Sequence, residues 1–133
     1  HAMKKPTVLI VDDEPDVVTT LAYALEAAGY GVRRAFDGLQ ALESIAKEKP
    51  DAILLDLMMP NMDGHSVNIR LKSDPSTASI PVMVMTARAQ LKELIEVRKD
   101  LQVAAYLEKP FRVKDLIAKL SEIVPAGGAA PSA

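Results

Sequence analysis

The stretch that decides the fold reads AILLDLMMPNMDG and occupies residues 52–64. Four apolar residues lead into a carboxylate, Asp56, and then into a loop that contains Pro60 and Gly64. A short, unbroken apolar run bounded by turn residues is typical of a strand that is buried on both faces of a parallel sheet. We therefore predict a strand at residues 52–55, a loop at 59–64 and a helix at 65–72.

The same pattern of strand, turn and helix recurs on both sides of this stretch. Short apolar runs predict further strands at residues 7–11, 32–36, 82–85 and 103–107. Apolar residues at helical spacing predict helices within residues 17–28, 39–46, 91–98 and 113–124, with Gly29 as a helix stop and Asp37-Gly38 as a turn. Strict alternation implies right-handed crossovers, so the predicted fold class is α/β: a (βα)5 doubly wound, five-stranded parallel sheet with helices on both faces.

The composition indicates one globular domain and excludes several kinds of protein. The chain has 133 residues, 49% of them hydrophobic, which is enough for one core. Its formal net charge is -2 and no basic stripe occurs, which argues against direct nucleic-acid binding. Cysteine is absent, and no apolar run approaches the roughly 20 residues of a membrane span. We expect a cytoplasmic protein with no membrane segment.

The two ends of the chain differ in composition from the middle. His1, Ala2 and Met3 look like a cloning scar ahead of a native start. Residues 125–133 are almost entirely Ala, Gly, Pro and Ser, which bury too little apolar surface to order themselves. We expect one domain at residues 4–124, followed by a flexible tail or a severed linker.

Polar side chains follow four of the five predicted strands. They are Asp12 and Asp13 after the first strand, Asp56 after the third, Thr86 after the fourth and Lys109 after the fifth. Open parallel sheets bind ligands outside the carboxyl ends of their strands, where the strand order reverses. We therefore expect three carboxylates, a hydroxyl and an ammonium group to meet at one edge of the sheet.

This set of side chains suits phosphoryl transfer with a divalent cation. Clustered carboxylates repel one another unless a cation compensates, and Mg²⁺ is commonly held by one or two carboxylates and phosphate oxygens. Asp13 and Asp56 are predicted as direct ligands, with Asp12 acting through water. Asp56 is the candidate nucleophile, since a carboxylate can form an acyl phosphate, while Mg²⁺, Lys109 and Thr86 neutralise the phosphoryl oxygens. A donor histidine is expected on another protein.

Each of these residues also has a simpler interpretation when it is taken alone. Asp12 or Asp13 could cap the first helix, and Thr86 could cap the fourth. Lys109 alone is more often a solvated surface lysine, and Tyr106 an ordinary half-buried strand residue. For Asp56 the alternative is a structural salt bridge to Lys109.

The motifs together resemble the response-regulator receiver family, which has the CheY-like (flavodoxin-like) fold, over residues 4–124. Five motifs carry the resemblance: Asp12-Asp13-Glu14-Pro15, Asp56-Leu57-Met58-Met59-Pro60, Asp63-Gly64, Met85-Thr86-Ala87, and Tyr106 ahead of Lys109-Pro110-Phe111. The resemblance implies that a histidine kinase, a phosphotransfer protein or a small phosphodonor phosphorylates Asp56. It also implies a two-component signalling switch rather than an enzyme that turns over external substrates.

The resemblance assigns roles to the remaining site residues. Asp12 and Asp13 help to hold Mg²⁺, and the Met58 backbone carbonyl is its third protein ligand. Thr86 contacts the phosphoryl group and moves inward, while Tyr106 swings from exposed to buried, which reshapes the face of the predicted fourth helix, fifth strand and last helix. Lys109-Pro110 is expected to be a cis peptide.

The chain departs from the family pattern at positions that affect partner choice. Many receivers carry Gly and acidic residues where this chain has Gln102, Ala104 and Ala105. The acidic pair supports a dimer in the winged-helix transcription factors, so that dimer is less expected, and a monomer or a phosphorylation-dependent dimer stays open. Met58 and Arg88 are candidates for setting the lifetime of the phosphorylated state.

The leading interpretation is a phosphorylation-controlled switch that acts on a downstream protein or a fused output domain. Two alternatives stay open. A Mg²⁺-dependent phosphatase of the haloacid dehalogenase type also forms an aspartyl phosphate, but its nucleophile follows the first strand in an Asp-x-Asp motif. A degenerate receiver that only mediates contacts is the other. The intact set of five polar residues argues against it.

Overall fold

The computed structural model describes residues 5–57, 59, 64–87 and 103–126. It contains one parallel sheet of five strands in the order β2-β1-β3-β4-β5. The strands are β1 Thr7–Val11, β2 Gly31–Ala35, β3 Ala52–Asp56, β4 Val82–Ala87 and β5 Ala105–Lys109. The predicted fold class is confirmed.

Four helices alternate with these strands in the described part of the chain. They are α1 Pro15–Ala27, α2 Gly38–Lys47, α3 Gly64–Ser73 and α4 Val113–Ile123. The helix predicted at residues 91–98 lies outside the described residues, so α4 is here the last helix. Gly29 ends α1 as expected, with a φ of 101° that favours glycine.

Asp37 and Gly38, which were predicted to form a turn, are the N-cap and the first residue of α2. The Asp37 carboxylate caps that helix, because its Oδ1 accepts a hydrogen bond from the Gln40 N–H at 2.8 Å. Asp is favoured both in turns and at helix N-termini, which is why the dipeptide alone predicted the wrong one. The consequence is that α2 begins one residue after the capping carboxylate.

Apolar residues cover both faces of the sheet, as expected for a doubly wound fold. On β1, Val8 and Ile10 face one core, while Leu9 and Val11 face the other. The first core is completed by α1 and α4, and the second by α2 and α3; we call them the α1–α4 core and the α2–α3 core. All five residues of β3 are buried, since this central strand is covered on both faces.

Three strands extend further toward their carboxyl ends than the apolar runs predicted. β3 includes Asp56, β4 includes Thr86, and β5 runs to Lys109 instead of ending at Leu107. Backbone pairing continues through these polar residues, with Asp56 opposite Met85 and Ala87 opposite Lys109. Backbone hydrogen bonds do not depend on side-chain polarity, so the apolar pattern placed these strand ends too early. The Lys109-Pro110 peptide is cis, which confirms that expectation.

Candidate functional site

Asp12 and Asp56 occupy neighbouring strand ends at the point where the strand order reverses. β1 pairs with β2 on one side and with β3 on the other, and Val11 lies opposite Leu55. Asp12 follows directly after β1 and Asp56 closes β3, so the two carboxylates come from adjacent strands. Both are buried, with 0% and 4% of their surface exposed. Two carboxylates this deep need cationic or hydrogen-bonding partners.

Asp12 has a partner for each carboxylate oxygen. Its Oδ1 accepts a hydrogen bond from the Glu14 N–H at 3.0 Å, and its Oδ2 lies 3.2 Å from the Lys109 ammonium nitrogen. The residue at the N-cap of α1 is Glu14, and its side chain makes no capping bond. Neither Asp12 nor Asp13 is therefore the N-cap, and the capping interpretation of these residues is wrong.

Lys109 reaches this pair from β5, two strands beyond β3. Its Nζ lies 3.2 Å from Asp12 Oδ2 and 3.4 Å from Asp56 Oδ2, and 27% of its side chain is exposed. Partial burial lowers the pKa of Lys109, but the charges of Asp56 and Asp12 outweigh burial and raise the pKa overall. Lys109 is thus a charged site residue and not a solvated surface lysine. The salt bridge to Asp56, expected as an alternative for that carboxylate, is present.

Asp13 adds a third carboxylate to the same edge. Asp12, Asp13 and Asp56 each offer one oxygen, and these oxygens lie within 4.8 Å of one another. Asp13 is the most open to solvent of the three. Carboxylate oxygens are the donors that a hard divalent cation takes, and three carboxylates against one ammonium leave an excess of negative charge. The donor set therefore fits Mg²⁺; Met58, the predicted third protein ligand, lies outside the described residues.

Thr86 brings an unpaired hydroxyl to the site. It lies in β4 one residue beyond Met85, the partner of Asp56 in the β3–β4 ladder, and it is fully buried. Within the described residues its Oγ1 has no hydrogen-bond partner. The helix that Thr86 could cap lies outside the described residues, so that interpretation stays a prediction. A buried hydroxyl with no described partner, one residue beyond the strand partner of Asp56, is suited to a group that binds at this strand end.

Tyr106 lies on β5 opposite Val84 and is partly buried against the α2–α3 core. Side chains two residues apart on a strand point to the same face, so Val84 and Thr86 lie on one face of β4, and Tyr106 lies beside Val84. Tyr106 and Thr86 therefore share one face of neighbouring strands. Arg88, the other lifetime candidate, lies outside the described residues.

Gly64 was predicted to lie in a loop and belongs to the Asp63-Gly64 motif, but neither observation gave it a role in the site. Gly64 is the first residue of α3, and its N–H donates to the Leu57 carbonyl oxygen at 3.1 Å. It stands against the backbone of Asp56 and Leu57. A glycine at a helix start has several explanations by itself, and the Asp63-Gly64 motif does not say which one applies.

The sheet and the site define a class of protein: a doubly wound α/β domain with an acidic cluster at the switch point, paired to a lysine from β5. The family model for the response regulator receiver domain matches residues 8–121. The chain belongs to the response regulator receiver domain family of two-component systems. None of the described helices has the length and apolarity needed to span a membrane.

Individual relatives agree with the family assignment. The chain is 39% identical over 119 residues to the DNA-binding dual master transcriptional regulator RpaA of Synechocystis, covering 90% of this chain and 49% of that protein. It thus spans about half the length of the curated relatives it matches.

Solved structures are similar over nearly the whole described fold. A putative response regulator from Chloroflexus aurantiacus is 36% identical, with a TM-score of 0.83, over 90% of this chain and 98% of that one. The receiver domain of the sensor histidine kinase PA1611 from Pseudomonas aeruginosa is 30% identical, with a TM-score of 0.80, over 90% of this chain and 98% of that one. In that structure a magnesium ion is coordinated in the active-site cleft.

Proposed function

We propose that Asp56 accepts a phosphoryl group and that the chain is a phosphorylation-controlled switch rather than an enzyme. The observation that carries the proposal is the placement of the Asp56 carboxylate. It is 4% exposed, 3.4 Å from the Lys109 ammonium group, and part of a three-carboxylate cluster. A buried nucleophile with cationic compensation is what acyl phosphate formation needs.

The chemistry follows from the groups at the edge. A carboxylate oxygen of Asp56 attacks phosphorus in line, a P–O bond forms, and the bond from phosphorus to the donor's nitrogen or oxygen breaks. Asp12, Asp13 and Asp56 would hold Mg²⁺, which supplies charge neutralisation for the phosphoryl oxygens. The Lys109 ammonium group is released from Asp56 Oδ2 to pair with a phosphoryl oxygen. The Thr86 hydroxyl, which has no partner among the described residues, donates a hydrogen bond to another phosphoryl oxygen.

The positions of Thr86 and Tyr106 support a switch in which phosphorylation at Asp56 changes a surface away from the site. Thr86 moves toward the phosphoryl group, and Tyr106 on the same face fills the space this opens, which changes the surface around β5 and α4. Met58 and Arg88 set the lifetime of the phosphorylated state by controlling access of water to Asp56.

The proposed partners follow from this chemistry and from the relatives. A sensor histidine kinase or a histidine phosphotransfer protein supplies the phosphoryl group, and a small phosphodonor can replace it. The output is a downstream protein or a fused domain, in keeping with relatives about twice as long as this chain, one of which is named as DNA-binding. This domain itself makes no nucleic-acid contacts, and it works in the cytoplasm as a monomer or a phosphorylation-dependent dimer.

The test is phosphorylation of the purified chain with acetyl phosphate and Mg²⁺, followed by intact mass spectrometry. Wild type gains one phosphoryl group, and Asp56→Asn gains none. Asp51→Asn is the matched control, because Asp51 accepts a hydrogen bond from the Thr7 N–H just before the amino end of β3 and has no part in the cluster. Phosphorylation of Asp56→Asn to the wild-type level, or an unreactive wild type, would reject the proposal.

A second readout tests the switch. Beryllofluoride with Mg²⁺ mimics the phosphorylated carboxylate, and the Tyr106 ring resonances in NMR spectra are expected to shift in wild type and to stay in place in Asp56→Asn. Equal shifts in both proteins would show that the Tyr106 movement does not depend on Asp56.

A further inference from the structure

Gly64 brings the start of α3 into direct contact with the strand that carries Asp56. Its N–H donates to the Leu57 carbonyl oxygen at 3.1 Å. A Cβ atom placed on Gly64 would lie 2.5 Å from the Asp56 carbonyl oxygen and 2.7 Å from Leu57 Cα. Real Cβ atoms essentially never approach other atoms below 3.0 Å, so something would have to move.

The requirement for glycine here is one of space. Gly64 has no left-handed φ, unlike Gly29, and it belongs to a regular helix. In an exposed helix alanine is favoured over glycine by about 1 kcal/mol. Close approach of two backbones is therefore the remaining reason for a glycine at this position.

The atoms that a Cβ would meet are held on their other side. The Leu57 N–H donates to the Met85 carbonyl oxygen at 3.2 Å, and Asp56 lies opposite Met85 in the β3–β4 ladder. Hydrogen bonds thus run from Gly64 to Leu57 and from Leu57 to Met85, the residue before Thr86. Since these are backbone atoms of the last residue of β3 and of the buried residue that follows it, no side-chain rotation relieves the contact.

We infer that Gly64 is a positioning residue for phosphoryl acceptance: its bare Cα lets α3 lock the Asp56-Leu57 peptide, which places the Asp56 carboxylate relative to Lys109 and Thr86. This inference rests on the proposed function. Opening the 2.5 Å approach to the 3.4 Å of ordinary contact requires a displacement of about 0.9 Å. Misplacing a reacting group by about 1 Å can slow a reaction about a hundred-fold.

The experiment compares Gly64→Ala with Gly31→Ala. A Cβ on Gly31, at the amino end of β2, would lie 3.6 Å from its nearest neighbour, Thr7 Oγ1, so it fits without displacement. Phosphorylation by saturating acetyl phosphate with Mg²⁺ is followed by mass spectrometry and expressed per folded molecule, with folding measured by circular dichroism and urea titration. We expect Gly64→Ala to react about 10- to 100-fold more slowly and Gly31→Ala to stay within about two-fold of wild type.

The outcomes separate positioning from folding. A folded Gly64→Ala that reacts at the wild-type rate, even with a lower urea midpoint, overturns the inference, as does equal slowing in Gly31→Ala. If Gly64→Ala is unfolded in buffer, the rate is measured in trimethylamine N-oxide, which favours the folded state, and the same criteria apply. A wild type that takes up no phosphoryl group overturns the proposed function instead, and the inference with it.

Discussion

The two edges of the sheet treat their buried polar groups differently. At the amino edge, where the strands begin, the Tyr30 hydroxyl donates to the Val124 carbonyl oxygen at 2.7 Å and the Thr77 hydroxyl to that of Leu71 at 2.7 Å. At the carboxyl edge, where the strands end, the Thr86 hydroxyl has no partner in the described chain, and one lysine faces three carboxylates. These two buried hydroxyls at the amino edge are hydrogen-bonded, whereas the buried hydroxyl at the carboxyl edge has no partner among the described residues.

This difference indicates that the carboxyl edge is less stable than its packing allows, at the residues with the proposed function. Buried polar groups in native proteins are nearly always hydrogen-bonded, and an orphan costs roughly 1–3 kcal/mol. The amino edge follows that rule and holds distant parts of the chain together, since Tyr30 and Val124 are 94 residues apart. The carboxyl edge departs from it at the residues that are proposed to receive a phosphoryl group. Removing a buried hydroxyl should therefore lower stability at the amino edge and leave it unchanged or raised at the carboxyl edge.

The largest effect on stability is expected from Lys109→Met. The substitution leaves Asp12 and Asp56 without their shared cation, and we expect the free energy of unfolding to fall by about 2 kcal/mol without divalent ions. We expect added Mg²⁺ to restore most of that loss, because these carboxylates are the ones proposed to hold it. Urea titrations with and without MgCl₂ measure both effects.

Lys114→Met, in an exposed position on α4, is the control and should change stability by less than about 0.5 kcal/mol. A Lys109→Met protein as stable as wild type would show that the carboxylates do not depend on the lysine.

The pH dependence of stability tests the same interaction in a second way. The pKa of Lys109 is raised in the folded state, so its contribution is complete below the ordinary value of 10.5 and is lost as pH rises through the folded pKa. Wild type should therefore lose more stability than Lys109→Met on going to alkaline pH.

The next prediction is that removing the hydroxyls of two buried threonines changes the free energy of unfolding in opposite directions. Thr77→Val removes a hydroxyl that is hydrogen-bonded, so we expect a loss of about 1 kcal/mol. Thr86→Val removes a hydroxyl that has no partner in the described part of the chain, so stability should stay the same or rise by about 1 kcal/mol, while the response to beryllofluoride weakens. Urea midpoints give the stabilities, and Tyr106 resonances give the response. Equal destabilisation by both changes would remove the distinction between the edges.

The smallest effect concerns the tyrosine at the amino edge. Tyr30 is 1% exposed, and Tyr30→Phe should cost about 1 kcal/mol because the Val124 carbonyl oxygen loses its donor. Tyr23→Phe is the control, since Tyr23 is 78% exposed, and its effect should stay within about 0.5 kcal/mol. Phosphorylation by acetyl phosphate should be the same in both variants and in wild type. A phosphorylation defect in Tyr30→Phe would show that the two edges are coupled.

Much of the fold could be predicted because its signals are local. The apolar run at Thr7–Val11 matched β1 at both ends, and Gly29 marked the end of α1. The carboxyl ends of β3 and β5 were placed too early, since Asp56 and Lys109 continue the backbone ladder although their side chains are polar. Asp37 was ambiguous because a turn and a helix cap favour the same residue.

The sequence by itself determined the alternation of strands and helices, and with it the polar residues at four strand ends, because apolar periodicity and turn chemistry act over a few neighbouring positions. Only the tertiary structure decided that Lys109 bridges Asp12 and Asp56, that the Thr86 hydroxyl has no partner among the described residues, and that a Cβ on Gly64 would collide with the backbone of Asp56 and Leu57. Those properties depend on distances of a few ångströms between segments up to 97 residues apart, which packing sets and no local pattern records.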